Sequence, residues 1–350
     1  MRVLLVKLSS LGDVVHSYPA ITDAAAALPG LEIDWLVDEA FAPLARLHPA
    51  VRRVIALPIR RLKKKPVETW PVLKERLAEL RRERYDIVID AQGLLKSAIA
   101  GRLARAGVRH GFARGSAREG AATLLYGARH EIPETEHMAV RIRRLFAASL
   151  GYAMPLAPPD AGLRAAVSAR ADESARPYVV LVHGTSWKTK TWTRAAWRQL
   201  ASDLDARGLD AVLFAHGAEE TARVAELADG QGNVRVLPPL SVEALVPVLA
   251  GARAVVTVDT GLGHLAAAYG LPTVGLYGPT NPGLTGLVGP HVAEIVAHRP
   301  CAPCEKARCA IKPDFGEGPP CMADHGAPTV LERLEAMMAE EVSPSSRSPS

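Results

Sequence analysis

The runs "YVVLVHG" (178–184) and "DAVLFAHG" (210–217) are near-continuously apolar, each closes on glycine, and the amphipathic stretch "AAWRQLASDLDARG" lies between them. Short apolar runs rich in β-branched residues read as strands buried on both faces, and the helical period between them reads as a covering helix. The pattern continues through "TARVAELADG", "VRVLP", "SVEALVPVLAGA", "RAVVTVDTG" and "TVGLYGP". Upstream, "RVLLV" (2–6), "IDWLV" (33–37) and "YDIVID" (85–90) are separated by the helical stretches "ITDAAAALPG" and "WPVLKERLAELRRERY". The fold class is therefore α/β, with two Rossmann-like doubly wound parallel-sheet domains. "YAMPLAPPDAG" (152–162) holds four Pro or Gly breakers and reads as a linker. The expected domains are 1–152 and 163–342, with a linker at 153–162, a Cys-rich segment at 300–322 and a disordered tail, "SPSSRSPS", at 343–350.

The 350 residues are 48% hydrophobic and 23% charged, an ordinary globular composition. No signal-peptide h-region follows Met1, and no run approaches the roughly 18 apolar residues of a membrane span, so a cytoplasmic protein is expected. The net charge of +5 conceals an asymmetry. Residues 1–152 carry 25 Lys and Arg against 16 Asp and Glu, and the remainder carries 17 against 21. A basic first half suits nucleic acid, an anionic membrane surface or a phosphorylated substrate, or is simply a solvated surface.

In doubly wound sheets, ligands sit outside the carboxyl ends of the strands, so the residues just beyond each strand carry the functional reading. In "VDTGLGHLAAAYG" (258–270) the strand ends at Asp259, and Thr260 and Gly261 turn the chain into an apolar helix whose free N–H groups suit a phosphate. Asp259 or Thr260 can equally be an N-cap, and His264 one turn on can serve a ligand or a neighbouring carbonyl. The order is not G-x-G-x-x-G, which argues against a nicotinamide dinucleotide. "LVHGTSWKTKTW" (181–192) places Thr185, Ser186, Lys188 and Lys190 beyond another strand, groups that suit a departing diphosphate or form a solvated, capped loop. Its spacing is not that of a P-loop. Glu220 can accept from ribose hydroxyls or simply favour its helix start.

In the first half, "IRRLKKKP" (59–66) is a charge run that reads as a solvated loop, and nothing aromatic interleaves it as single-stranded nucleic-acid binding prefers. Arg114, Arg118, Arg141, Arg143 and Arg144 recur later in the same domain. If these loops converge, they receive carboxylates or phosphates. In "SSLGDVV", Asp13 reads first as a helix N-cap. All four cysteines stand at C-x2-C-x4-C-x11-C, Cys301, Cys304, Cys309 and Cys321, a spacing that reads as a structural zinc site, with an iron–sulfur cluster, unligated thiols or a redox pair as alternatives.

Taken in order and spacing, "KLSSLGDVVHSYPA", "IRRLKKK", "DAQGLLKSA", "SAREG", "HGTSWKTKTW" and "VDTGLGHLAAA" resemble the lipopolysaccharide heptosyltransferases of glycosyltransferase family 9, from residue 1 to about 295. The resemblance implies the GT-B fold and transfer, with inversion and without a required metal, of L-glycero-D-manno-heptose from ADP-heptose to a Kdo sugar of Kdo2-lipid A. It implies Asp13 as catalytic base, with Ser10 and Gly12 beside it. It implies Thr185, Ser186 and Lys190 at the diphosphate, Glu220 at the ribose and Leu240 at the adenine. Asp259, Thr260, Gly261 and His264 would meet the donor sugar and phosphates. Arg60, Arg61, Lys63, Lys64, Arg118 and Arg141 would bind the acidic acceptor. The basic first domain is expected to dock on anionic headgroups near a lipid-anchored acceptor, which places the protein peripherally on the cytoplasmic face of the inner membrane, as a monomer with no nucleic-acid partner.

Physically, inversion needs one displacement: Asp13 takes the acceptor proton while ADP leaves from the opposite face, with Lys190 and the helix start at Gly261 stabilising the diphosphate. An ordinary Asp, with a pKa of about 3.9, is a weak base, so burial or nearby carboxylates are expected to raise it. Gly12 is expected to let the chain turn close to the ligands. Two alternatives remain: a sibling transferase adding heptose to a later core sugar, and a non-enzymatic nucleotide or nucleic-acid binder.

Overall fold

The computed structural model describes residues 1–163, 176–312 and 317–342; the tail expected at 343–350 lies outside the described residues. The chain divides into two compact units, Met1–Leu163 and Arg164–Ser350. The first holds β1 (Arg2–Val6), β2 (Glu32–Asp38), β3 (Val51–Leu57), β4 (Arg84–Asp90), β5 (Arg105–Phe112) and β6 (Ala128–His130), in the order β3-β2-β1-β4-β5-β6. The second holds β7 (Tyr178–Val182), β8 (Asp210–Phe214), β9 (Val234–Leu237), β10 (Ala254–Val258), β11 (Thr273–Tyr277) and β12 (Val292–Val296), in the order β12-β11-β10-β7-β8-β9. Neighbouring strands are parallel throughout, as the alternation of strand and helix predicts. The order reverses between β1 and β4 and again between β7 and β10, and each reversal opens a crevice at the carboxyl ends of those strands.

Each sheet is covered by helices. In the first unit, Leu4, Val6, Leu36, Ile55 and Val88 pack with Leu80 and Ala100 of two such helices. In the second, Val179, Leu181, Val256 and Val258 pack with Trp192, Trp197, Leu200 and Leu334.

Four strands were not legible as apolar runs, because β3 (VRRVIAL), β5 (RAGVRHGF), β6 (ARH) and β12 (VAEIV) carry charges or glycines. Tertiary pairing admits them. Asp34 of β2 is fully buried and accepts from Arg52 Nε at 3.0 Å, Arg53 Nε at 3.0 Å and the Tyr85 hydroxyl at 2.8 Å, which neutralises the arginines of β3. The run expected as a solvated loop is instead a short helix, Ile59–Lys64, followed directly by the helix Pro66–Arg82 with proline at its first position.

The stretch read as a linker, 153–162, falls within the first unit. Arg143 Nη2 donates to the carbonyls of Pro155 and Ala157, each at 3.1 Å. Its Nε lies 2.6 Å from Asp23 Oδ2, and both residues are buried. Arg143 is therefore an internal strut, not part of an anion receptor. Asp23→Ala strips a buried guanidinium of its counter-charge and should cost about 3 kcal/mol in urea denaturation, most of it recovered in Asp23→Ala/Arg143→Met. A loss within the scatter of ordinary surface substitutions would show that the strut carries no weight.

Candidate active site

Where β1 ends, the chain enters the first crevice with Lys7, which is 1% exposed. Its ammonium donates to the carbonyl of Ala91 at 3.0 Å and lies 3.4 Å from Asp13 Oδ1. Asp13 is the third residue of the short helix Leu11–Val15, and its Oδ2 accepts from the backbone N–H and the hydroxyl of Ser10 at 2.9 and 3.0 Å. Ser10, not Asp13, is the N-cap; Asp13 reaches back as the acidic half of a capping box. Gly12 sits inside this helix and is absent from the positive-φ positions, so it makes no special turn.

The turn is held from behind by the end of β4. Gln92 Oε1 accepts from the N–H groups of Leu8 and Ser9 at 2.9 and 3.1 Å. Asp90 in turn accepts from the Gln92 N–H at 2.9 Å, the Tyr126 hydroxyl at 2.7 Å and the Ser97 hydroxyl at 2.8 Å. A Cβ on Gly111 would stand 2.3 Å from the Tyr126 ring, so glycine in β5 is what lets Tyr126 reach Asp90.

The expectation for the acidity of Asp13 is overturned. Burial does push its carboxyl upward, but Lys7, the Ser10 N–H, Arg118 and His16 outweigh burial and hold it well below the usual carboxylate range. Among the described residues no carboxylate is a leading influence on it, and a buried lysine stands 3.4 Å away.

Arg118 is exposed and shares a small recess with Lys7, Gln92 and Arg141. Arg141 is 7% exposed; it donates to the Ser116 carbonyl at 2.6 Å and lies 5.1 Å over the Phe112 ring, and burial lowers its affinity for a proton. Arg60, Arg61, Lys63 and Lys64 sit on the separate helix beyond β3, at the same carboxyl edge of the sheet. Arg60 stacks 4.4 Å over Phe41 and Arg61 pairs with Glu39 at 2.9 Å, whereas Lys63 and Lys64 are exposed.

The second crevice repeats the arrangement. Asp259, the first residue beyond β10, is buried, with Lys190 Nζ 2.7 Å from Oδ2 and His264 Nε2 3.7 Å from Oδ1. Burial raises its pKa, but His264 and Lys190 prevail and hold it ionised below the usual range. Lys190 ends the short turn Lys188–Lys190 beyond β7 and stands 4.7 Å over the Trp187 ring. Thr260 occupies the N-cap position of the helix Gly261–Ala268, yet its side chain makes no capping bond. A Cβ on Gly263 would stand 2.5 Å from Thr257, so this glycine seats the helix flush on β10.

Thr185 is half-buried and Ser186 exposed in the loop after β7. Glu220 accepts from the His216 N–H at 2.8 Å, and a Cβ on Gly184 would fall 2.7 Å from its Oε1, so the carboxylate is tucked against the end of β7. Leu240 is half-buried just before the helix Val242–Ala250. His183 Nδ1, the Tyr277 hydroxyl and the Thr280 hydroxyl are buried at the same edge without a hydrogen-bond partner among the described residues. Lys7, Gln92, Asp90 and Trp187 were missed as site residues. The signal for Lys7 was present, a lysine placed directly after the strand in "RVLLVK".

The zinc expectation does not fit. A tetrahedral ion needs four sulfurs about 2.3 Å from one point, and among the described residues no group of three or more His, Cys, Asp or Glu side chains gathers as such a set. Cys301, Cys304, Cys309 and Cys321 are free thiols around a cavity of about 330 Å³. Cys309 Sγ accepts from the Lys312 N–H at 3.4 Å, and buried Cys321 packs against Gly278. The cavity also touches Thr189, whose hydroxyl donates to the Lys306 carbonyl at 2.9 Å, so this segment braces the turn that carries Lys190.

Comparison with known proteins agrees with this geometry. Residues 75–314 match the model of glycosyltransferase family 9 (heptosyltransferase). The chain is 46% identical to lipopolysaccharide heptosyltransferase 1 of Pseudomonas aeruginosa, over 97% of this chain and 98% of that protein. It is 45% identical to lipopolysaccharide heptosyltransferase 1 of Escherichia coli K12, over 83% of this chain and 91% of that one, and 28% identical to lipopolysaccharide heptosyltransferase 2 of Salmonella typhimurium over 97% and 99%. Among solved structures, E. coli heptosyltransferase WaaC with ADP superposes with a TM-score of 0.85 at 38% identity, covering 96% of this chain and 100% of that one. The same enzyme with ADP-2-deoxy-2-fluoro heptose gives 0.81 at 38% identity, covering 96% and 99%. The expected two-unit architecture is that of these structures, and the chain belongs to glycosyltransferase family 9, the heptosyltransferases.

Proposed function

We propose that this enzyme transfers L-glycero-D-manno-heptose from ADP-heptose to a Kdo sugar of Kdo2-lipid A, with inversion. The reading is carried by the pair of switch-point constellations, Lys7 with Asp13 and Lys190 with Asp259, in a chain 38% identical to a structure holding an ADP-heptose analogue. The type 1 over the type 2 reaction is favoured by the contrast between 46% and 28% identity to the two kinds of relative over nearly the whole chain.

In the transfer step the acceptor oxygen forms a bond to the anomeric carbon, the bond from that carbon to the diphosphate breaks, and the acceptor proton passes to Asp13. A low-pKa carboxylate suffices, because the acceptor oxygen becomes strongly acidic as its new bond forms. Lys7 is a positioning residue; together with Arg118 it keeps Asp13 ionised and fixed toward the crevice. Lys190 meets the departing diphosphate with N–H bonds beyond the one spent on Asp259, and the uncapped start of the helix at Gly261 adds its dipole. Asp259 can only accept, so it serves sugar hydroxyls and not phosphate oxygens. Thr185 and Ser186 line the diphosphate, Glu220 the ribose and Leu240 the adenine. Arg60, Arg61, Lys63, Lys64, Arg118 and Arg141 receive the Kdo carboxylates. No described helix is long and apolar enough to cross a membrane, and we place the enzyme peripherally on the cytoplasmic face of the inner membrane, where its acceptor is anchored.

The purified protein should convert Kdo2-lipid A in the presence of ADP-heptose and leave the already heptosylated acceptor untouched; the reverse preference would make it a type 2 enzyme. Asp13→Asn should lower kcat by at least about 100-fold while ADP affinity, measured by calorimetry, stays level. Transfer at the wild-type rate would remove Asp13 as the base. The lysine depresses the pKa of Asp13, so Lys7→Met should raise it. Since the ionised form is the base, the acidic limb of the kcat profile should move to higher pH, with donor KM little changed; an unshifted limb would reduce Lys7 to a packing role.

A further inference from the structure

The helices Pro66–Arg82 and Leu95–Arg102 cover one face of the first sheet, for Leu73, Leu77 and Leu80 of one and Ala100 of the other enter the same core. Their outer surfaces are not those of ordinary solvated helices. Of nine large apolar side chains exposed among the described residues, four stand here: Val67 at 85%, Trp70 at 51%, Leu95 at 41% and Ile99 at 48%. Val67, Trp70 and Lys74 follow an i, i+3, i+7 stripe, with the Lys74 ammonium 5.6 Å over the Trp70 ring. Leu95, Ile99 and Arg102 form a second stripe on the neighbouring helix.

Both stripes lead to a recess of about 380 Å³ ringed by Arg81, Arg84, Arg102, Arg105 and Arg109, with no carboxylate in its lining. Arg81 and Arg109 are fixed by the carbonyls that end the second helix, donating to Leu103 at 3.0 Å and Ala104 at 2.8 Å. Arg84, Arg102 and Arg105 are exposed. The acids of the first helix are already engaged, Glu68 with Lys65 at 3.0 Å, Glu79 with Arg76 at 2.9 Å and Glu75 with Arg76 at 3.8 Å. The second helix starts beside the Asp13 turn, where Lys96 Nζ lies 3.5 Å from Ser9 Oγ.

We propose that this two-helix face docks on an anionic phospholipid bilayer, with Val67, Trp70, Leu95 and Ile99 at the boundary between headgroups and acyl chains and the arginine recess over lipid phosphates. Tryptophan and long cationic side chains are the residues that settle at this boundary, and a cationic recess without carboxylates beside an apolar patch complements its charge. The docking face rests on the reading of a lipid-anchored acceptor and deepens it by naming the surface that meets the membrane.

The test uses the full chain and vesicles of phosphatidylcholine with phosphatidylglycerol, without acceptor. Trp35, Trp192 and Trp197 are at most 2% exposed, and the half-buried Trp187 lies in the other unit and is no part of the proposed face, so brominated acyl chains should quench chiefly Trp70. Quenching should appear with anionic vesicles, weaken with salt, and vanish in Trp70→Phe. Val67→Asp/Ile99→Asp should sediment with vesicles at least about tenfold more weakly, while transferring heptose to a soluble, deacylated acceptor at the wild-type rate. Arg84→Glu/Arg105→Glu, on a different part of the face, should lose vesicle binding in the same way, so a folding defect in one variant does not decide the outcome. Absent quenching, quenching that survives in Trp70→Phe, or folded variants that bind as the wild type does would overturn the proposal. Wild-type protein that docks but transfers heptose to no acceptor would instead count against the function proposed above.

Discussion

A parallel sheet wound outward in both directions from its middle leaves a gap between two strands where no connection can pass, and this constraint places the chemistry in each unit. The gap lies between β1 and β4 in one unit and between β7 and β10 in the other. At or just beyond the ends of those four strands stand Lys7 to Asp13, Asp90 to Gln92, His183 to Lys190 and Asp259 to His264. The proposed base and the groups proposed for the diphosphate and donor sugar therefore sit where the fold cannot fill space with its own backbone, whereas Glu220, Leu240 and the proposed acceptor cations stand beyond other strands.

Both gaps carry the same electrostatic solution. A carboxylate largely removed from water would ordinarily take up a proton, yet each crevice supplies a lysine close enough to hold it ionised, Lys7 beside Asp13 and Lys190 beside Asp259. The two pairs differ in access. Lys7 is fully enclosed and tied to the Ala91 carbonyl, which suits a group that orients another, while Lys190 is 15% exposed and retains N–H groups for a ligand. Support also differs: the Asp13 turn is held by Gln92 and the buried Asp90 network, and the Lys190 turn by Thr189 and the cysteine-bearing segment.

Besides Arg60, Arg61, Lys63 and Lys64 on the helix beyond β3, three groups stand out in the cationic surplus of the first half. Arg52, Arg53 and Arg143 neutralise buried aspartates and hold strands and segments together. Arg118 and Arg141 crowd the recess beside Lys7. A third group lies on an outer helical face that also exposes tryptophan and aliphatic side chains. Charge count alone does not separate these uses, because a guanidinium in an ion pair and one facing solvent contribute equally to it.

The sequence by itself determined the α/β class, the strands whose apolar runs are unbroken, and the post-strand positions of Asp13, Lys190, Glu220 and Asp259, since burial on both faces and turn chemistry are local patterns. It did not reveal β3, β5, β6 or β12, whose charges and glycines are accommodated only by neighbours far along the chain. Nor did it reveal that Lys7 faces Asp13, that Gln92 holds the turn, or that Thr189 braces the Lys190 turn against the cysteine-bearing segment. Those facts depend on distances between residues brought together by sheet order. The acidity of Asp13 is the sharpest case: burial, a local tendency, predicts a raised pKa, and a lysine placed 3.4 Å away by the tertiary fold reverses the sign.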